Sequence, residues 1–209
     1  MIRLIRQQLL EWCYRTWYVG ECDGILLANA RPNDEEFVST IVAAMKLVER
    51  TDALRFARIK RRIKWIINAP LFRVGGQYDH VIQACKIDFD PSVGENNRSL
   101  AIGWCASLLV HESTHGLLRG RGIPYSRRLR CRVERRCVKE EQRFVVRLAV
   151  SEPELARWLT CEFDESNWGP SWNATWSEKF AWAWAEVRKV VMRSWAQYAE
   201  PAEGSREPS

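Results

Sequence analysis

Apolar residues recur along this chain at two different periods, and each change of period marks an element. Ile2, Ile5, Leu9 and Trp12, and then Phe37, Ile41, Met45, Leu47 and Val48, return at spacings near 3.6, which predicts two amphipathic helices in the first fifty residues. Turn-rich patches at residues 20–23 and at Arg31-Pro-Asn-Asp separate them. From Arg58 to Asn68 the period falls to two. Ile59, Ile63, Trp65 and Ile67 alternate with Arg58, Lys60, Arg62 and Lys64, which predicts a strand with one solvated face. Gly75-Gly76 interrupts the chain, and Val81 to Phe89 resumes a looser alternation, a second strand able to pair back into a small antiparallel sheet.

The second half reads as helical. After a loop from Asp88 to Arg98, Asn96 or Asn97 is placed to cap a long helix from about Leu100 to Arg119, which Gly120 and Gly122 would end. Ser126 can cap the next helix, reaching about Val150. A Trp-rich connection at residues 168–172 leads to a last helix from about Thr175 to Tyr198, with Trp176, Phe180, Trp184, Val187, Val191 and Trp195 on one face. The expected architecture is a mostly helical α+β fold, a single domain over residues 1–198 with residues 199–209 as a disordered tail.

Composition narrows the setting. With 209 residues, 46% hydrophobic and 28% charged, the chain can bury one full core and is not of a disordered or fibrous class. Its longest apolar stretch, Ala101 to Val110, is about half of the roughly 20 residues a membrane span needs. Arg3, Arg6, Gln7 and Gln8 interrupt the start, so no secretory signal is expected. Seven cysteines, odd in number and without a Cys-x-x-Cys pair, read as reduced thiols in a cytoplasmic protein. Basic residues crowd into positions 55–64 and 119–139, within a net charge of +6. Solvated strand and helix faces account for them, and a nucleic-acid surface is the second reading. Six of the eleven tryptophans lie between Trp168 and Trp195, where rings at helical spacing are expected to be structural.

The candidate chemistry lies in the long helix, as Leu108-Leu-Val-His111-Glu112-Ser-Thr-His115-Gly116. Residues four apart on a helix share a face, so two imidazoles at that spacing can grip one Zn²⁺. The Glu between them is then close enough to take a proton from the attacking water. With three histidines and nineteen glutamates, chance placement would give this pattern in roughly 0.3% of shuffled chains.

A catalytic zinc needs a third protein ligand, and His80 lies upstream, so carboxylates or thiols must supply it. On the following helix Val133, Cys137, Val138, Phe144, Val145 and Leu148 form an apolar stripe, with Glu134 and Glu141 near its centre and Glu140 toward its edge. In an antiparallel hairpin turning at residues 120–125, the histidines lie about 6 to 12 Å back from the turn, and Glu134 comes down at that level. Glu141 falls roughly 10 Å further along, as a supporting carboxylate, and Cys137 is an alternative ligand on the same face.

In these residues the chain resembles the zincin metallopeptidases of the gluzincin kind, in which a His-Glu-x-x-His helix is followed by a helix donating a glutamate. The resemblance spans about fifty residues, Leu100 to Val150. It implies an active-site helix pair packed with a small sheet, His111 and His115 as zinc ligands, Glu112 as general base and Glu134 as third ligand. It further implies amide hydrolysis of a peptide or protein substrate, with an oxyanion donor for which Tyr125, Tyr78 and His80 are the types nearby, and an extended substrate along a sheet edge, for which Val81 to Phe89 is the candidate. The surroundings depart from known signatures. Glu134 sits in Arg-Val-Glu-Arg-Arg-Cys, and no Glu-x-x-Ala-Asp follows. The alternative function is a non-catalytic protein, stabilised by zinc or binding nucleic acid, with the metal site closed by a group such as Cys137.

Overall fold

The computed structural model describes residues 2–90 and 97–159, together with 163–164, 173–175, 177–179, 181–182 and 184–185. The chain divides into two compact units, Met1–Asn167 and Trp168–Ser209. The first is a mostly helical α+β unit. It contains α1 (Ile2–Arg15), β1 (Tyr18–Cys22), β2 (Ile25–Asn29), α2 (Asp34–Thr51), α3 (Ala53–Arg62), β3 (Trp65–Asn68), β4 (Gly76–Asp79), β5 (Ala84–Ile87), α4 (Arg98–Gly120), α5 (Arg130–Ser151) and α6 (Pro153–Trp158). In the second unit, residues 177–179, 181–182 and 184–185 are helical. Thr175 and Glu178 cap them reciprocally: Glu178 N donates to Thr175 Oγ1 at 3.3 Å and Thr175 N to Glu178 Oε2 at 2.7 Å. The rest of the expected Trp-rich helix and the tail at 199–209 lie outside the described residues.

The sheet corrects the expected antiparallel pairing. Its order is β1-β2-β3-β5-β4, with β2, β3 and β5 parallel and only the outer pairs antiparallel. Burial on both faces explains this. Trp65, Ile66 and Ile67 of β3 are all buried, Ile66 in the main core with Leu27, Cys85 and Ile87, and Trp65 and Ile67 in a smaller core with Ala28, Ala84 and Tyr14 of α1. Strands covered on both sides read as continuous apolar runs and are reached through crossovers, here α2 and α3 between β2 and β3.

Two further expectations are overturned. The first fifty residues hold a hairpin as well as two helices, because Asp23 (φ 53°) and Gly24 (φ 80°) occupy the two left-handed positions of a tight turn between β1 and β2. The predicted strand from Arg58 begins only at Trp65. Asp52 caps α3 by accepting from Arg55 N at 3.1 Å, and Ile59 and Ile63 are an i, i+4 pair as well as a period-two one.

The long helix is capped as its sequence suggests. Asn97 accepts from Leu100 N at 3.0 Å, and Gly122 (φ 78°) donates to Arg119 O at 3.0 Å past the C-terminus. Ser126 precedes α5 differently from expectation: its carbonyl, not its side chain, takes Leu129 N and Arg130 N, so a turn intervenes and the helix proper starts at Arg130. α4 is the spine of the unit, with α2, α3, α5, β4 and β5 packed around it. It is therefore buried on most sides, from Gly103 to Leu118.

Candidate metal centre

Four side chains from two helices converge. His111 and His115 project from one face of α4, and Glu134 and Cys137, three apart on α5, meet them, with one potential donor atom from each lying within 4.8 Å of all the others. Glu134 Oε2 is 3.2 Å from His111 Nε2 and 3.4 Å from His115 Nε2. Bond lengths of about 2.0–2.1 Å to nitrogen and oxygen give tetrahedral edges of roughly 3.3–3.4 Å, so these spacings already suit a shared zinc. His111, Glu134 and Cys137 are buried, and only His115 is partly open to solvent.

Behind the donors, His111 Nδ1 donates to Glu141 Oε2 at 3.0 Å, and Ser107 Oγ holds Glu141 Oε1 at 2.7 Å. A carboxylate on the far nitrogen fixes the ring's orientation and raises its basicity as a ligand. Glu141→Ala is therefore expected to leave the fold intact by circular dichroism but to weaken zinc binding by about 10–100-fold in a competition titration. Unchanged affinity would remove Glu141 from the site.

Glu112 lies beside the donors, fully buried, and its Oε2 is one of four buried side-chain atoms without a hydrogen-bond partner among the described residues. Burial pushes its carboxyl up, against the pull of His115 and His111. Burial pulls the His111 imidazole down, but its hydrogen bonds to Glu134 and Glu141 outweigh this and hold it at about 10. Burial likewise raises Glu134, yet the two histidines bring it well below the usual carboxylate range. The Cys137 thiol is held well above its ordinary value by burial and by Glu134. Two buried carboxylates, Glu112 and Glu134, and the partly exposed Glu141 surround the two imidazoles, a concentration of negative charge that a divalent cation would balance with this donor set. The fit rests on those contacts and on the orphaned Glu112 oxygen.

Two glycines let the sheet approach this helix. A Cβ on Gly76 in β4 would stand 2.5 Å from Leu108 Cδ1 and 2.9 Å from Glu112 Oε1, so the strand crosses directly against the general-base candidate. A Cβ on Gly116, immediately after His115, would stand 2.8 Å from the Tyr78 hydroxyl and 3.0 Å from Arg62 Cβ. Gly116→Ala is accordingly expected to cost about 1–3 kcal/mol through overpacking, read as a lowered melting temperature. An unchanged melting temperature would show that the contact gives way freely.

The three candidate oxyanion donors separate. Tyr125 stands edge-on to His115, ring centroids 5.5 Å apart at 76°. Tyr78 donates to Arg62 O at 2.9 Å, its phenol pushed up to about 12 chiefly by burial. His80 is exposed beyond the end of β4. The proposed substrate edge also moves: β5, within Val81 to Phe89, is interior, and β4 is the edge strand on this side.

The basic residues are organised in a way the sequence reading missed. Glu140 Oε2 takes Arg55 Nη2 at 3.0 Å and Arg58 Nη2 at 3.1 Å, while Glu140 Oε1 takes Arg143 Nη1 at 2.6 Å. Arg58 also donates to Thr114 Oγ1 at 3.0 Å, next to His115. The i, i+3 spacing of Arg55 and Arg58 was the available signal, hidden by the strand reading of this segment.

Compared with described protein families, with curated proteins and with solved structures, the chain matches none of them.

Proposed function

We propose that this protein is a zinc-dependent hydrolase, most simply a peptidase, with His111, His115 and Glu134 as ligands and Glu112 as general base. The observation that carries the reading is the meeting of those three donors beside a buried carboxylate with an unpartnered oxygen. When bound, zinc would polarise a substrate carbonyl and acidify the attacking water. Glu112 takes the proton from that water and passes it to the leaving nitrogen. Glu141 holds His111 in its ligating orientation, and Tyr125, whose ring stands beside that of His115, is the candidate donor to a developing oxyanion. An extended peptide would add to β4, the edge strand among the described residues, whose Gly76 lies against Glu112.

A reducing cytoplasm is the proposed setting: among the described residues Cys22, Cys85, Cys105, Cys131 and Cys137 form no disulfide. Among the described residues no helix is long and apolar enough to cross a membrane.

A second reading, a binding protein for nucleic acid, is favoured by a cavity of about 780 Å³ whose lining includes Arg55, Arg58, Arg121, Arg136, Lys139 and Arg143. Glu140 neutralises part of this charge, which is why the hydrolase is preferred. Steep salt dependence of nucleic-acid binding would favour the second reading.

The deciding experiment is zinc content by elemental mass spectrometry for wild type, His115→Ala and Glu134→Ala. One zinc per chain in the wild type, lost in both variants, is expected. A folded wild type that takes up no zinc on reconstitution overturns the proposal.

A further inference from the structure

We propose that Cys137 is a fourth protein ligand, so that the metal rests in a closed His₂-Glu-Cys set, and hydrolysis requires the thiolate to give its corner up. The inference rests on the zinc reading above and adds to it a fourth protein ligand.

Three observations carry it. Cys137 is three residues beyond Glu134 on α5, so both side chains leave the helix on the face turned to α4. A potential donor atom of each of the four residues lies within 4.8 Å of the others. A tetrahedral zinc with a sulfur at about 2.3 Å has nitrogen-to-sulfur edges of roughly 3.5–3.6 Å, so the widest gap closes by little more than 1 Å, within the reach of small side-chain rotations. Finally, the corner occupied by Cys137 is dry. The residue is 0% exposed and packs with Leu118 and Val133, while His115 is the donor residue partly open to solvent. Water placed at the Cys137 corner would face apolar side chains, whereas a thiolate ligand satisfies both the metal and that lining.

A buried cysteine in an apolar cluster is ordinarily a small filler, and Leu118, Val133 and Cys137 do form such a cluster. A filler has no reason to place its sulfur among three other donors of a zinc-binding type. With four protein donors, zinc has no free position for water, as in structural sites. Opening would then be one balanced exchange: water binds the metal from the His115 and Tyr125 side, the bond from the metal to the thiolate breaks, and the proton that this water gives up passes to the departing Cys137 sulfur.

The test is zinc K-edge X-ray absorption on the zinc-loaded full chain, for wild type, Cys137→Ala and Cys137→Ser, with zinc stoichiometry measured in parallel. The wild type is expected to show one sulfur at about 2.3 Å beside nitrogen and oxygen at about 2.0–2.1 Å. The sulfur is expected to be lost in both variants while one zinc per chain is kept. Substitution by cobalt should give a thiolate charge-transfer band in the wild type alone. One zinc with a sulfur-free shell in the wild type would overturn this inference and leave the hydrolase reading intact. Sulfur that persists in both variants would overturn it too, by assigning the ligand to another cysteine. A wild type that binds no zinc would overturn both. If Cys137→Ala fails to fold, Cys137→Ser and the wild-type spectrum still decide the question.

Discussion

Exchange of Glu112 for Gln is expected to keep one zinc per chain while lowering peptide hydrolysis by about 10²–10⁴-fold, the usual contribution of a general base. Gln has nearly the volume of Glu and fits the same space under Gly76, where Glu112 Oε1 would stand 2.9 Å from an added Cβ. The amide cannot take a proton from water, and it replaces a carboxylate whose Oε2 has no partner among the described residues and whose burial disfavours the charged form. Loss of that buried carboxylate removes a desolvation cost, so the melting temperature should hold or rise. The readouts are cleavage of a fluorogenic peptide library and elemental analysis on the same sample. Full activity with zinc in place would exclude Glu112 as the base, and loss of zinc would make it a structural member of the site.

The candidate site was far more legible than the sheet, for a physical reason. His111 and His115 are four apart on one helix, so their meeting is fixed by local geometry alone. Glu134 and Glu141 announced themselves as carboxylates in an apolar stripe, a costly placement that calls for partners. The structure supplies them: Glu134 meets both histidines, and Glu141 sits behind His111, held by Ser107. The helix pair needed only a short turn, whose length sets the register. The sheet depends on contacts distant in sequence. Nothing local tells Trp65–Asn68 that it will lie parallel to both Ile25–Asn29 and Ala84–Ile87. The hairpin at Asp23-Gly24 had a local signature, which the helical spacing of the residues on either side obscured. Ile59 and Ile63 fit both periods, and the Asp52 cap that decides between them is a single side chain.

The largest expected loss of stability follows from that same misread segment. Glu140→Ala is expected to destabilise the protein by about 3 kcal/mol or more, because it leaves Arg55 and Arg58 around a buried position without their shared carboxylate. Asp52 remains bonded to Arg55, which keeps the loss toward the lower end of that range. The pH dependence has a definite sign. Burial raises the Glu140 carboxyl, but hydrogen bonding to Arg58 and the charges of Arg55 and Arg58 outweigh it and hold the group below its ordinary 4.5. A carboxylate lowered in the folded state contributes stability in full above its unfolded value and loses it as pH falls through the folded one. The difference in melting temperature between wild type and Glu140→Gln should therefore be widest near neutral pH and shrink steadily below about pH 4.5. A difference that does not change with pH would mean that packing, not charge, is what the Glu140 side chain supplies. Because Arg58 also holds Thr114 at 3.0 Å, next to His115, Glu140→Ala should weaken zinc binding as well as the fold. Glu140→Ala combined with Arg58→Ala should then cost less than the sum of the two single changes, which a double-mutant cycle on melting and on zinc affinity would read directly.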